Sequence, residues 1–252
     1  NICEKCWKYM IVAYLIIDAT LKEDFGYEHL MYEFSGRRGI HCWLCDNKAR
    51  QYKDNIRKSV AEYINYRRVN VEMEISPGLK DPIHPMYRRA IEIIDKYFPT
   101  VLREQNLLSA EKGQMLLKGL IKGYFYGIKI NFTEIENILN SREKPADVKF
   151  NEIEELLKRA ENARDKGKNN SISKTYLCIN DFKLTVMYPK LDMNVSTHIN
   201  HLLKSPFSVH PKTGLVSVPL SHDDILNFKR ENIPNIYNLV NDYKNHKENL
   251  KK

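Results

Sequence analysis

Ser35-Gly-Arg-Arg-Gly-Ile-His41 places two adjacent guanidiniums between glycines, where one apolar run ends and the next begins. Upstream, Tyr32 to Ser35 reads as a short strand. Downstream, Ile40 to Leu44 alternates, with Ile40, Cys42 and Leu44 on one face and His41 and Trp43 on the other. The spacing predicts a hairpin with charge at its bend. Arginine presents several donors in a planar fork suited to phosphate oxygens, and flanking glycines let the backbone come close to a polyanion. A nucleoside triphosphate is the natural guest of such a turn. Taken in isolation, the same arginine pair would serve as a solvated bend that only keeps the protein soluble.

Working outward, 252 residues suffice for one large domain or two smaller ones with a real core. A net charge of +8 and a pI near 9.1 point to an acidic partner such as nucleic acid. The lysine- and asparagine-rich runs 166–174 and 241–252 read as solvated segments. Five cysteines, an odd number, with no signal-peptide pattern, predict a reducing compartment and no disulfide framework. The most apolar window, Met10 to Ile17, is far short of the roughly 20 residues of a membrane span, and Lys8 and Asp18 flank it. No membrane partner is expected. The sequence opens at Asn1 in what reads as mid-motif, so further residues are expected upstream.

In chain order, Cys3-Glu-Lys-Cys6 supplies two thiolates at metal-binding spacing, half of the four ligands of a closed zinc site, or else two buried cysteines; His29, His41, Cys42 and Cys45 are the in-chain candidates for the rest, with Cys42 reading as core of the hairpin. Met10, Tyr14, Ile17 and Leu21 recur at helical spacing until Gly26. A second amphipathic helix is expected from Ala49 to about Arg68, packed behind the hairpin. Ser76-Pro-Gly78, with Pro82 and Pro85, predicts a domain boundary. Beyond it, helices are expected over 86–102, 110–126, from a capping box at Thr133 to Glu136, and over 152–165. Past the polar linker 167–174, apolar alternation returns, and a helix containing His198 is expected. Lys204 to His210 and Leu215 to Leu220 then read as a second hairpin around Pro211-Lys-Thr-Gly214, with Ser208 and His210 on one face and Phe207 and Val209 on the other. The expected fold class is α/β of the α+β kind, in three parts: 1–80 and 175–252 as the two portions of one core, the second with a basic tail, and 81–174 as an inserted helical subdomain.

Ser35, Arg37, Arg38 and His41 from the first portion, with Lys204, His210 and Asp192 from the second, make a credible nucleotide site. The cations would neutralise three phosphates, and the aspartate would hold a divalent ion bridging them. One aspartate is too few for two-metal nucleotidyl transfer.

The segments Ser35 to Trp43, Leu191-Asp-Met-Asn-Val-Ser196 and His201 to Gly214 closely resemble the small catalytic subunit of eukaryotic-type DNA primase, in the family's order from Cys3 to about Leu239. The resemblance implies a primase-type catalytic core, a two-layer arrangement of sheet and helices interrupted by an all-helical insertion. It implies DNA-templated synthesis of short RNA primers from ribonucleoside triphosphates, with magnesium or manganese, a structural zinc, and a nuclear location. The implied partners are the large primase subunit, the DNA polymerase alpha complex, a single-stranded DNA template and the RNA primer. It assigns Ser35, Arg37, Arg38, His41, Lys204 and His210 to the incoming triphosphate, Asp192 to the catalytic metal, and Cys3 and Cys6, followed by Trp7, to part of the zinc site. The family's Asp-x-Asp pair and its first two zinc ligands precede that motif. No Asp-x-Asp occurs in this sequence, and Asp223 and Asp224, being adjacent, would diverge on a strand. The chain is therefore expected to be incomplete and inactive alone. Two alternatives stay open: a primase-like polymerase of archaea or bacterial end joining, and a non-catalytic nucleotide-binding module that lacks the carboxylates.

Overall fold

The computed structural model describes residues 3–66, 77–164 and 172–249. In chain order the first portion gives helix α1 (Glu4–Glu23), strands β1 (Leu30–Phe34) and β2 (Ile40–Leu44), and helices α2 (Asn47–Arg50) and α3 (Asp54–Ile64). Then come α4 (Pro85–Glu104), α5 (Glu111–Tyr124), α6 (Phe132–Asn140), α7 (Ala146–Arg164) and α8 (Lys174–Met187). The chain returns with α9 (Met193–Thr197), β3 (Pro219–Leu220), α10 (His222–Leu226) and α11 (Ile236–Asn249). The fold is mixed α+β, mostly helical, with a three-stranded antiparallel sheet in the order β2-β1-β3. Two compact units result, one of residues 1–65 with 190–252 and one of residues 66–189.

In the first unit, the strand period of two separates the faces of the sheet. The pairs Leu30 with Leu44, Tyr32 with Cys42, and Phe34 with Ile40 lie on one face, while Met31 with Trp43 and Glu33 with His41 lie on the other. The apolar face meets Tyr14, Leu15, Ile17 and Leu21 of α1 and, near the β2 end, Val60 and Ile64 of α3. Helices thus form one layer and the sheet the other. Trp7 is buried in α1, stacks on Phe228 at 3.6 Å between centroids and donates its indole N–H to the Ile225 carbonyl at 2.8 Å. Gly26, at φ +68°, ends α1 in the left-handed conformation that a side chain disfavours.

The second unit is built on α8, whose Leu177, Cys178, Ile179, Phe182, Leu184 and Met187 are all buried. With Asn180 and Asp181 buried among these apolar residues, the helix shows no clean polar stripe to give a period. Phe182 packs against Phe98 of α4 and Phe150 of α7. Asp181, fully buried on α8, takes hydrogen bonds from the Tyr66 hydroxyl at 2.5 Å, the Tyr124 hydroxyl at 2.7 Å and the Gly78 amide at 2.7 Å.

Several local expectations shift. The second helix breaks at Gln51 to Lys53 into α2 and α3, because Lys53 is extended and Asp54 opens a new first turn. The capping box at Thr133 is displaced: α6 opens at Asn131, whose side chain accepts the Glu134 amide. The apolar alternation after residue 174 is instead the buried α8. His198 lies just past α9, which ends at Thr197. Asp223 and Asp224 open a helix, where Asp224 closes a capping box with Ser221. The second hairpin is a single bridge, Val209 to Val216, and only Pro219 and Leu220 form regular strand, since Leu215 and Val216 turn to pair with Asn235 and Pro234. Arg68, Ser76, the linker residues 165–171 and the end of the tail at 250–252 lie outside the described residues.

Candidate triphosphate-binding site

The turn after β1 is closed from within. The Ser35 amide donates to the Gly39 carbonyl at 2.9 Å, and the Ser35 hydroxyl accepts the Gly39 amide at 3.0 Å and the Arg38 amide at 3.4 Å. Ser35 therefore shapes the turn, while its hydroxyl proton stays able to donate. Gly36 has φ +75°, and a Cβ there would stand 2.8 Å from His210 Cβ and 3.2 Å from the Leu215 carbonyl oxygen. Only glycine meets both demands.

The returning chain clamps this turn. Thr213 Oγ1 donates to the Gly36 carbonyl at 2.7 Å, and Arg230 Nη1 donates to the Arg37 carbonyl at 2.9 Å. With the Arg37 carbonyl held, its guanidinium projects from a fixed backbone. His210 opens its own turn: its amide donates to Leu215 O, its carbonyl accepts Gly214 N–H, and its Nδ1 accepts the Lys212 amide at 3.2 Å. That last bond puts the proton of the neutral imidazole on Nε2.

Lys204 links the charges. It acts electrostatically on both His41 and His210, and Arg37 acts on His210. Burial lowers the pKa of His41, Lys204 lowers it further, and Glu33 opposes both. Partial desolvation, then Lys204, Arg37 and Lys212, lower that of His210. Arg37, His41, Lys204 and His210 are thus brought together around the turn, with Arg38 exposed beside them. Both imidazoles are neutral near pH 7, and the positive charge comes from arginine and lysine. Among the described residues, His41 Nδ1 is buried with no hydrogen-bond partner, as is Ser208 Oγ.

Sequence reasoning missed Glu33, Thr213, Ser217 and Arg230. Glu33 left a trace, a charge in the middle of an apolar strand, and it is fully buried. Its carboxylate accepts the Trp43 indole N–H at 2.9 Å and the Ser217 hydroxyl. The apolar side chains of the irregular second hairpin point outward instead, with Phe207 71% and Val209 38% exposed.

Asp192 is exposed and N-caps α9, its Oδ1 accepting the Asn194 amide at 3.1 Å. Its neighbour Leu191 packs against Leu21, Tyr27, Ala49 and Ile64, with the apolar face of the sheet. Cys3 and Cys6 begin α1 with sulfurs 3.3 Å apart, and the bond with Cys6 lowers the Cys3 thiol pKa. Cys42, packed with Tyr32 and Leu44, is pushed up to about 12 by burial, which makes it core and a poor thiolate donor. Among the described residues no group of three or more His, Cys, Asp or Glu could hold a metal ion. Cys3 and Cys6 fit half of a tetrahedral zinc site and Asp192 fits one ligand of a divalent ion, and neither set is complete.

A family model for the DNA primase small subunit matches residues 1–222. The chain is 34% identical over 246 residues to the DNA primase small subunit of Drosophila melanogaster, covering 96% of this chain and 55% of that protein. It is 33% identical over 255 residues to that of Schizosaccharomyces pombe, covering 99% of this chain and 54% of the relative. Similarity to the archaeal DNA primase small subunit PriS of Thermococcus sibiricus is lower, 24% over 205 residues, covering 81% of this chain and 51% of that protein. The chain spans about half the length of the curated relatives it matches. None of the helices among the described residues is long and apolar enough to cross a membrane.

Proposed function

The chain belongs to the DNA primase small subunit family, and from that membership we propose that its first unit carries the triphosphate end of a site for DNA-templated RNA primer synthesis. On this reading the first unit is a primase-type core and residues 66–189 are a helical insertion. The supporting observation is the clamp that seats Gly36 against His210 and joins the Arg37-Arg38 turn to the Lys204–His210 segment. Arg37, Arg38 and Lys204 would neutralise the β- and γ-phosphates. Ser35 and the imidazoles of His41 and His210 would direct hydrogen bonds to phosphate oxygens, aligning the α-phosphate for attack by the primer hydroxyl. Asp192 would give one carboxylate to a magnesium or manganese ion, and Cys3 and Cys6 two thiolates to a structural zinc. Identity of 32–34% to eukaryotic subunits, against 22–24% to archaeal ones, favours the eukaryotic type. The large primase subunit, the polymerase alpha complex, a single-stranded template, the growing primer and a nuclear location belong to the same proposal.

The test is primer synthesis on single-stranded DNA, with the large subunit present, by the full-length protein as wild type and as Asp192→Asn. Asparagine caps a helix as well as aspartate does, so the variant removes charge and keeps α9. Loss of synthesis with retained triphosphate binding is the expected result. Full synthesis by Asp192→Asn with either magnesium or manganese would overturn the assignment. A second reading, a nucleotide-binding module without catalysis, is favoured by the absence of a three-ligand cluster among the described residues. It expects binding and no synthesis by wild type.

A further inference from the structure

We propose that Glu33 is a positioning residue for polyphosphate binding: its buried carboxylate fastens the middle strand to Trp43 on one side and to Ser217 on the other, holding His41 and the Lys204–His210 segment toward one ligand. The inference rests on the triphosphate reading above and adds a residue to it. Glu33 is fully buried, where a carboxylate is costly unless hydrogen-bonded. Its Oε2 accepts the Trp43 indole N–H at 2.9 Å, and its Oε1 accepts the Ser217 hydroxyl, which also lies 2.6 Å from the Phe34 carbonyl. Ser217 in turn ties down the phosphate-facing segment through its backbone: its amide donates to Ser208 O at 2.9 Å, and its carbonyl accepts Phe207 N–H at 2.7 Å. One carboxylate therefore reaches, through Ser217, a segment that ends two residues later at His210. On its other side Glu33 lies directly opposite His41 in the β1–β2 ladder, where same-face side chains are in contact range.

Strand fastening does not explain the charge, since well-packed apolar residues stabilise a core at least as well as a buried ion. Its location does. His41 has a buried Nδ1 with no hydrogen-bond partner among the described residues, and the charges acting on it are Glu33 from β1 and Lys204 from the returning segment. Burial and Lys204 drive the imidazole toward neutrality, and Glu33 is the counterweight that lets it take up a proton when a polyanion arrives.

The experiment measures the affinity of the full chain for inorganic tripolyphosphate between about pH 6 and 8, together with the His41 imidazole proton shifts by NMR. Wild-type affinity should rise as pH falls, with the His41 pKa higher in the complex. Glu33→Gln should weaken binding about tenfold and flatten the His41 contribution to the pH profile. Trp43→Phe and Ser217→Ala, which keep the charge and lose one anchor each, should weaken binding without flattening the profile. Wild-type affinity and pH profile in Glu33→Gln would overturn the proposal. If that variant fails to fold, unchanged affinity in both anchor variants overturns it equally. Absence of tripolyphosphate binding by wild type would overturn the triphosphate reading itself, an outcome distinct from any failure confined to Glu33.

Discussion

Gly36 and His210, far apart in sequence, pack so tightly that a methyl group on the glycine would stand 2.8 Å from the histidine Cβ. Alanine at 36 would also have to adopt φ +75°, costing about 1–2 kcal/mol, and the Leu215 carbonyl at 3.2 Å leaves little room to retreat. Gly36→Ala should therefore lower stability by about 2 kcal/mol or more and push the Arg37-Arg38 turn and the His210 segment apart. Urea unfolding and nucleotide titration on the same variant check both. Wild-type values in each would show that the contact is loose in solution.

Arg37→Ala or Arg38→Ala should weaken nucleoside triphosphate binding by roughly 10- to 100-fold, the worth of a charged hydrogen bond, with little change in melting temperature. The turn is held by the Ser35 and Thr213 hydroxyls and the Arg230 guanidinium bonding backbone groups, so deleting the guanidinium of Arg37 or Arg38 removes little packing. Arg230→Met, which frees the Arg37 carbonyl, should give a smaller loss. Unchanged affinity with a lowered melting temperature in the alanine variants would mean that the arginines are structural.

The histidines make stability and binding respond to pH in opposite senses. His41 and His210 have folded-state pKa values below the unfolded value of about 6.5. Between the two values the unfolded chain binds more protons, so their contribution is intact above about pH 6.5 and falls as pH drops toward the folded values. A bound polyanion favours imidazolium, so triphosphate binding should take up protons and tighten in the same range. Denaturant midpoints against pH, and calorimetry in buffers of different ionisation enthalpy, should show the two trends. A binding enthalpy independent of buffer would contradict the second.

In the second unit, Asp181→Ala should cost about 2 kcal/mol or more, because it strands the buried Tyr66 hydroxyl and takes an acceptor from the Gly78 amide, while the Tyr124 hydroxyl and Leu79 keep their bonds to each other. Tyr66→Phe, which removes one donor, should cost about 1 kcal/mol. Burial and the adjacent carboxylate push both tyrosines far above their ordinary range, so neither should ionise before the protein unfolds at high pH. Ultraviolet titration of tyrosinate alongside chemical unfolding checks this, and early ionisation of Tyr66 would show that the network is open.

Local pattern by itself determined the period-two faces of β2, the amphipathic α1 and α3, the glycine-flanked arginine turn and the helical run from α4 to α7. Each is a choice that neighbouring residues make through backbone sterics and spacing. The mostly buried α8 escaped because its buried polar residues Asn180 and Asp181 break the apolar stripe that a period would show. Tertiary structure alone decided that Gly36 meets His210, that Thr213 and Arg230 clamp the arginine turn, and that Glu33 pairs opposite His41. These bonds join residues more than a hundred positions apart or across a ladder. Their geometry is set by where the sheet brings the returning chain, and no local window of sequence encodes that.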